Sequence, residues 1–274
     1  LIIFSLSIKL ITIIFMFLMI NFNNLIKKSR SKILLVNLKK NAKWLTLNSL
    51  LIQFYDLFDK YLIKIFLGPI AIATYSIPQQ LTGKLSIFSK GFSAFLLPNL
   101  SKRKSNTQNL NYTLDIFLKI IPLIILLLFP FFEIFLEYWL GKNFNKTILI
   151  LTKIFSICSI FACASHLLVT KFEASKTLYR NLKIEFTIMP FFLFSLFYLT
   201  SNYFTLIHIS IFILLKEWFL LFLRLNLLKN EIKNLKDYYI ISFTTVLALY
   251  LSIYSNELFF VLIILIILKF FFNK

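Results

Sequence analysis

Long apolar stretches, separated by short polar connections, dominate the sequence. Nine of them are close to the roughly 20 residues that a helix needs to cross a hydrocarbon core of about 30 Å. They occupy residues 1–20, 44–67, 70–100, 112–140, 147–170, 184–200, 203–228, 238–254 and 258–272. A segment in lipid must satisfy its backbone hydrogen bonds internally, so every span is expected to be a helix. The pattern therefore predicts an all-α, polytopic transmembrane bundle of about nine spans.

The composition supports a membrane-embedded protein. Hydrophobic residues make up 59% and charged residues 15% of the 274 residues, whereas soluble domains contain about 25% charged residues. The chain has four Gly, six Pro and two Cys, which excludes a collagen-like chain and a disulfide scaffold. The sequence starts with Leu rather than Met, and an apolar run begins there. We therefore expect it to be part of a longer protein.

The basic residues lie mainly in alternate connections. Thirty Lys and Arg against eleven Asp and Glu give a net charge of +19, which in a soluble protein would suggest a nucleic-acid partner. Twenty of the thirty, Lys171 and Arg224 among them, fall in the odd-numbered connections and at the C-terminal end, against Lys142 and Lys146 in the even-numbered ones. Cytoplasmic loops of membrane proteins are rich in Lys and Arg. The odd connections and the C-terminus are therefore predicted to be cytoplasmic, and no nucleic-acid partner is expected.

The second and third predicted spans each carry a polar stripe. At about 100° per residue, spacings of three and four place polar positions on one face of a helix. Those of the second span are Thr46, Ser49, Gln53, Asp56, Lys60 and Lys64, with Asp59 at the edge, and those of the third are Gln79, Thr82, Ser86, Ser89, Lys90 and Ser93. A charge at a helix centre costs roughly 2.5 to 3.5 kcal/mol on insertion. These faces are therefore predicted to contact water or other helices.

The two stripes allow two interpretations. Hydrogen bonds between helices explain the Ser and Thr side chains at least as well as a cavity does. The ammonium groups of Lys60, Lys64 and Lys90 need water or an anion, which favours a hydrated cavity. The third span would measure about 46 Å as a straight helix, longer than the hydrocarbon core. It is therefore predicted to tilt, or to bend near Pro78 and Gly83.

The residue types of common catalytic and metal sites are not placed to act together. His166 and His208 belong to different spans, and we interpret each as a hydrogen-bonded helix residue. The two Cys share a helix but point about 140° apart. Lys216 and Glu217, deep in the seventh span, are explained equally well as a structural pair or as a site. No phosphate-loop, dinucleotide-binding, zinc-protease or serine-hydrolase motif occurs. The sequence predicts neither an enzyme nor a metal or cofactor site.

One region combines several short motifs in a recognisable order. A basic linker leads into a helix with an acid–base pair, a Leu-Gly turn follows, and a Tyr-containing helix ends in Pro and Ser. These are Asp59 with Lys60, Leu67 with Gly68, Tyr75, Pro98 and Ser101. The stretch 41–101 resembles the start of the second half of bacterial polysaccharide flippases, which export O-antigen and other lipid-linked oligosaccharides and belong to the MATE-like MOP superfamily. The segment EYWLGKNF at 137–144 is similar to a helix end of that family.

The resemblance implies a fold and a domain organisation. Members of this family enclose a central cavity between two six-helix lobes, and the cavity opens alternately to each side of the membrane. Residues 1–43 would be the last helix of the N-terminal lobe with a basic cytoplasmic linker. Residues 44–228 would form the six-helix C-terminal lobe, and 229–274 an additional helix pair.

The resemblance also implies a function and a set of site residues. The implied substrate is an undecaprenyl-diphosphate-linked oligosaccharide, flipped across the bacterial cytoplasmic (inner) membrane for O-antigen or other surface polysaccharide. Other polysaccharide-assembly proteins and membrane lipids are the expected partners, the coupling ion is H⁺ or Na⁺, and no cofactor is implied. The candidate residues are Lys60, Lys64, Lys90, Gln53 and Gln79 for the substrate, and Asp56 and Asp59 for charge pairing or ion coupling.

Two other functions remain open at the level of sequence. A cation-coupled multidrug exporter of the MATE type would have the same architecture but an acid-rich cavity, whereas the stripes here carry net positive charge. A membrane glycosyltransferase or polymerase of the same pathway would need outward catalytic acids and a large outer loop. Glu257 is the one acid in the predicted outward connections, and these connections are short.

Overall fold

The computed structural model describes residues 31–101, 108–202, 204–232 and 235–254, and every regular element in these ranges is helical. The chain divides into two compact units, Leu1–Leu47 and Asn48–Lys274. The predicted spans 1–20 and 258–272 lie outside the described residues. The all-α prediction is confirmed for the described part of the chain.

Eight α-helices, one π-helical turn and one 3₁₀ turn make up this part. In chain order they are α1 Ser31–Gly83, α2 Ser86–Ser101, α3 Gln108–Asp115, the π turn Ile116–Ile120, α4 Ile121–Leu140, the 3₁₀ turn Gly141–Asn143, α5 Lys146–Ala174, α6 Leu178–Ser201, α7 Leu206–Leu227 and α8 Leu235–Tyr254.

Helix α1 reverses direction at Gly68. The backbone of Gly68 has φ 86° and ψ 177°, outside the helical region, and Pro69 begins the second arm. The Tyr75 hydroxyl donates to the Asp59 carboxylate sixteen residues earlier. In a straight helix those two residues would lie about 24 Å apart, which no side chain bridges. The arms before and after Gly68 therefore form a hairpin, as the Leu-Gly boundary between the second and third predicted spans indicates.

A second break separates α1 from α2. The helix ends at Gly83 and the next begins at Ser86, with turn conformation at Lys84 and Leu85. Near the break the Thr82 hydroxyl donates to the Pro78 carbonyl oxygen at 2.9 Å, an i−4 contact of the kind that often bends helices. The predicted bend near Pro78 and Gly83 is confirmed.

Helix α5 lies at the centre of the second unit. It packs against α2, α4, α6, α7 and α8, and 72% of its most apolar 18-residue stretch is buried, compared with 22–39% in the other long apolar helices. Its first turn is capped by Asn145, whose side chain accepts from the Thr147 backbone N–H at 3.0 Å. The other long helices thus expose more apolar surface, as lipid-facing helices do.

Five of the described helical segments are long and apolar enough to cross a membrane. They are Lys43–Ser101, Gln108–Asn143, Lys146–Ala174, Leu178–Ser201 and Leu206–Leu227. The first contains the Gly68 hairpin and so covers two of the predicted spans. Helix α8 corresponds to the predicted span 238–254 but is not among the five. A membrane protein is supported, whereas the count of nine spans is not confirmed.

Candidate functional site

A cavity of about 460 Å³ lies within the second unit, among both arms of α1 and helices α2, α5, α6 and α7. Its wall combines apolar and polar side chains, and its charged members comprise four basic and three acidic residues. The polar and charged residues that line it include Asn48, Asp59, Lys60, Gln79, Gln80, Thr82, Ser86, Ser89, Lys90, Ser159, His166, Glu185, Lys216, Glu217 and Arg224.

The α1 hairpin supplies a buried carboxylate to this wall. Asp59 is 4% exposed, and in addition to Tyr75 it accepts from the Gln79 side-chain amide at 3.3 Å and from the Lys60 backbone N–H at 2.6 Å. The other amide atom of Gln79, Oε1, is buried and has no hydrogen-bond partner among the described residues. The hairpin thus presents one satisfied carboxylate and one unsatisfied acceptor.

A buried ion pair lies at another part of the wall. The guanidinium of Arg224 on α7 pairs with Glu185 on α6, and it also donates to Asn181 at 2.8 Å and to the Ser165 hydroxyl of α5. Asn181 in turn donates to the Asn48 side chain of α1 at 3.3 Å. Each of the three guanidinium nitrogens therefore makes a hydrogen bond, and four helices meet at this network.

Lys216 and Glu217 form a second closed pair. Their side chains are 2.7 Å apart and mostly buried. The Lys216 ammonium also lies over the rings of Tyr55, at 4.3 Å from the ring centroid, and Phe192, at 4.6 Å. One carboxylate and two aromatic faces thus stabilise the ammonium group. The pair is formed in the structure, although whether it also acts as a site stays a prediction.

The two remaining lysines of the cavity have no carboxylate partner among the described side chains. Lys60 on α1 and Lys90 on α2 line the cavity, and neither forms an ion pair with another described residue. Lys60 is half-buried and Lys90 is exposed toward the open space. The cavity therefore offers two ammonium groups to whatever occupies it.

His166 on α5 also faces the cavity. Its Nδ1 atom is 3.0 Å from the Ser93 hydroxyl of α2, and the Thr170 hydroxyl donates to Ser93 at 2.9 Å. No other described side chain or backbone group hydrogen-bonds to the His166 ring. One ring nitrogen is thus held by Ser93, and the other has no protein partner.

The structure brings together some of the predicted site residues and separates others. Asp59, Lys60, Gln79 and Lys90 line one cavity. Lys64 and Gln53 are exposed and do not line it. The side chain of Asp56 lies outside the described part of the structure. Only part of the predicted polar stripe on the first arm of α1 therefore lines the cavity.

Two of the basic residues assigned to cytoplasmic connections are buried within the helical bundle. Arg224 is 5% and Lys171 4% exposed, and both belong to helices, α7 and α5 respectively. Lys171 pairs with Glu231 at 2.7 Å, and Arg224 forms the network described above. Their assignment to connections is wrong, because charge counting along the sequence does not register the carboxylate that lets a helix retain a buried cation.

Sequence reasoning also missed Glu185 and His166. Glu185 lies seven residues after the start of α6 and pairs with a residue 39 positions later in the chain. The sequence predicts a hydrogen-bonded helix residue at His166, and Nδ1 does form such a bond. The prediction does not include the second ring nitrogen, Nε2, which has no hydrogen-bond partner among the described residues. The available signal was a lone acid and a lone histidine within apolar helices, where ionisable groups are functional candidates by default.

No family model, curated protein or solved structure matches this chain significantly. Among the described residues, no group of three or more His, Cys, Asp or Glu side chains is placed to hold a metal ion. The chemistry of the cavity is therefore the basis for assigning a function.

Proposed function

We propose that the protein is a membrane transporter that moves a lipid-linked oligosaccharide, carried on a diphosphate, through this cavity by alternating access. The observation that carries the proposal is the pair Lys60 and Lys90 on the wall of a cavity of about 460 Å³, two ammonium groups that no described carboxylate pairs with. The sequence resemblance of residues 41–101 to polysaccharide flippases points to the same substrate class.

The charges of the cavity favour an anionic ligand. Arg224 and Lys216 are each balanced by a carboxylate, and Asp59 accepts hydrogen bonds from its neighbours. Lys60 and Lys90 are left to interact with water or a bound anion, since ions in a membrane interior are costly unless they are paired or hydrated. A diphosphate supplies the complementary charge and several strong acceptor oxygens.

The neutral part of the cavity suits a saccharide. The buried Oε1 of Gln79 needs a donor, because a buried acceptor without one costs about 1–3 kcal/mol. A sugar hydroxyl, or a water that such a hydroxyl displaces, provides it. One ligand with an anionic group and hydroxyl donors satisfies both parts of the wall.

The cellular setting follows from the substrate and from the charge distribution. We place the protein in the bacterial cytoplasmic membrane with its C-terminus inside, and we take undecaprenyl-diphosphate-linked glycans for O-antigen or related surface polysaccharides as the substrate. Proteins of polysaccharide assembly are its expected partners. H⁺ and Na⁺ are both compatible as coupling ions.

A cation-coupled multidrug exporter is the second candidate. The observation in its favour is that three acids line the cavity, namely Asp59, Glu185 and Glu217. All three already accept from neighbouring donors: Asp59 from Tyr75, Glu185 from Arg224, and Glu217 from Lys216. A cationic drug would have to displace those donors, so we rank this function below the flippase.

Transport by the purified protein in lipid vesicles tests the proposal. A fluorescent oligosaccharide on a polyprenyl diphosphate is incorporated into the vesicles, and its movement between leaflets is followed by quenching from outside. The double variant Lys60→Gln/Lys90→Gln is expected to slow transport by about tenfold or more, since hydrogen bonds to charged groups contribute roughly 1.5–3 kcal/mol each. Lys84→Gln, an exposed lysine that does not line the cavity, is the matched control and should transport normally.

Two results would contradict the proposal. If the double variant transported the glycolipid as fast as the unmodified protein, the cavity lysines would have no role in binding it. The second result concerns a lipophilic cationic dye. If the unmodified protein exported this dye in exchange for protons or sodium ions and left the glycolipid in place, the exporter function would replace the flippase.

A further inference from the structure

His166 lines the cavity and has a ring nitrogen that the proposed function has not used. Its Nδ1 atom is engaged by Ser93 at 3.0 Å, and the ring as a whole lines the cavity. Among the described residues, no group hydrogen-bonds to its Nε2 atom. The residue is therefore anchored on one side and open on the other.

We propose that His166 and Lys90 form a phosphate-binding subsite, in which the neutral imidazole donates its Nε2 hydrogen to a phosphate oxygen and the Lys90 ammonium supplies the charge. The subsite rests on the proposed function, because it takes the diphosphate of that substrate. It adds to that function the residue and the tautomer that recognise the anion.

The proposed subsite uses the tautomer in which Ser93 donates to His166. The Thr170 hydroxyl lies 2.9 Å from the Ser93 oxygen and 3.1 Å from the His166 carbonyl oxygen. When Thr170 donates to Ser93, the hydrogen of Ser93 is available for the Nδ1 atom of His166. A neutral imidazole that accepts at Nδ1 carries its hydrogen on Nε2, where it can be donated to a ligand.

Lys90 lies on the same face of α2 as the residue that holds His166. Lys90 and Ser93 are three residues apart, a spacing that places two side chains on one face of a helix. Ser93 contacts His166 directly, so the ammonium of Lys90 projects from the α2 face that packs toward the imidazole. A cation and a neutral N–H donor from two helices then face the same volume, which is a common way to bind a phosphate oxygen.

Arg224 and Lys216, two other cations of the cavity, are already held by protein partners. Each guanidinium nitrogen of Arg224 donates to a protein acceptor, and Lys216 is held by Glu217 and two aromatic rings. Lys60 has no ion pair with a described residue, but it lies on α1, directly after Asp59, whose carboxylate accepts from the Lys60 backbone N–H. We therefore assign the phosphate held by His166 to the α2–α5 side of the cavity, where Lys90 lies, and leave Lys60 to the rest of the diphosphate.

Nitrogen-15 NMR of the histidine rings provides a direct test. The chain contains only two histidines, and His208 is exposed and hydrogen-bonds through Nδ1 to Thr205 at 2.7 Å. It is an internal control, since it does not line the cavity. In phosphatidylcholine nanodiscs the His166 ring should show a protonated Nε2 and an unprotonated Nδ1. Inorganic pyrophosphate should shift the His166 signals and leave those of His208 unchanged.

Variants separate the donor role from packing. His166→Gln keeps an N–H donor and should retain pyrophosphate binding to within a few-fold, whereas His166→Phe keeps the volume but should weaken it by about tenfold. Lys90→Gln should weaken it by a similar factor. Ser93→Ala should produce NMR signals of both His166 tautomers instead of one. Equal binding by the Phe and Gln variants, or an unchanged tautomer in Ser93→Ala, would overturn the subsite.

Two further arms distinguish the sources of phosphate and the two proposals. A polyprenyl diphosphate lipid should produce the His166 shift, whereas phosphatidylglycerol should not, since the latter has a single phosphate in place of the two linked phosphates of the substrate. Glycolipid transport without a pyrophosphate effect on His166 would refute the subsite and leave the transporter function standing. A pyrophosphate shift without glycolipid transport would support the subsite and refute the flippase.

Discussion

The hydroxyl of Tyr75 donates a hydrogen bond to the carboxylate of Asp59 across the turn at Gly68. Both side chains are buried, with exposed fractions of 0% for Tyr75 and 4% for Asp59. The ring of Tyr75 also packs edge-on against Phe155 of the central helix α5, at 5.1 Å between centroids. One contact thus connects the two arms of the hairpin, and the other attaches the hairpin to the core of the unit.

We predict that Gly68→Ala destabilises the protein by about 1–3 kcal/mol. The backbone of Gly68, at φ 86° and ψ 177°, lies in a region that is essentially restricted to glycine. The space around it is open, so the cost arises from the backbone conformation rather than from a clash. Thermal unfolding in detergent, followed by circular dichroism, measures the change.

Gly91→Ala is the matched control for this substitution. Gly91 also has open space where a Cβ would lie, but it sits inside α2 with ordinary helical backbone. Alanine there should leave stability unchanged or raise it by about 0.5–1 kcal/mol. Equal losses at Gly68 and Gly91 would show that the turn conformation is not the cause.

We predict that Tyr75→Phe lowers the unfolding free energy by about 1.5–3 kcal/mol. The substitution removes the donor to Asp59 and leaves a buried carboxylate with fewer partners. Chemical denaturation of the detergent-solubilised protein provides the measurement. Tyr138→Phe is the control, since Tyr138 is 92% exposed and should lose almost nothing. A loss of stability that Tyr138→Phe shares would argue against the hairpin contact.

Much of the fold is predictable from the sequence, because apolar length and helical periodicity depend on neighbouring residues. The stretch 147–170 corresponds to α5, Lys146–Ala174, and the Leu-Gly boundary at Gly68 corresponds to the hairpin turn. The bend near Gly83 follows from the excess length of the third span over the hydrocarbon core. Each of these inferences uses information within about thirty residues of chain.

The site is less predictable, because its contacts join residues far apart in the chain. Arg224 and Glu185 are 39 positions apart, and Ser93 and His166 are 73 apart. Helical periodicity gives the face of a side chain but not the partner that it meets. It correctly placed Lys60 and Lys90 on polar faces, yet it could not separate them from Lys64, which lies on an exposed part of the same arm.

We predict that Arg224→Met destabilises the protein by about 3–5 kcal/mol, because it leaves the Glu185 carboxylate buried without its counter-charge. The double variant Arg224→Met/Glu185→Met should recover more than half of that loss, since a buried ion pair can often be replaced by apolar side chains. Denaturant unfolding in detergent gives both values.

Arg180→Met serves as the control for the loss of a positive charge. Arg180 is exposed on α6, and its guanidinium contacts the Tyr179 hydroxyl at 3.3 Å. Its replacement should change stability by less than about 0.5 kcal/mol. If the double variant at 224 and 185 were less stable than Arg224→Met alone, the two side chains would not act as a pair.

Single-cysteine labelling tests the predicted orientation of the chain. Leaving out the buried residues Lys171 and Arg224 changes the count of basic residues from twenty against two to eighteen against two, so the positive-inside argument still applies. The native cysteines are both buried and are first replaced by alanine. Lys142→Cys should then react with a membrane-impermeant maleimide on intact cells, whereas Lys229→Cys should react only after the membrane is opened. Both positions are exposed in the structure, so a difference between them reports sidedness rather than burial. Labelling of Lys229→Cys from outside, with Lys142→Cys protected, would reverse the orientation and place the C-terminus outside the cell.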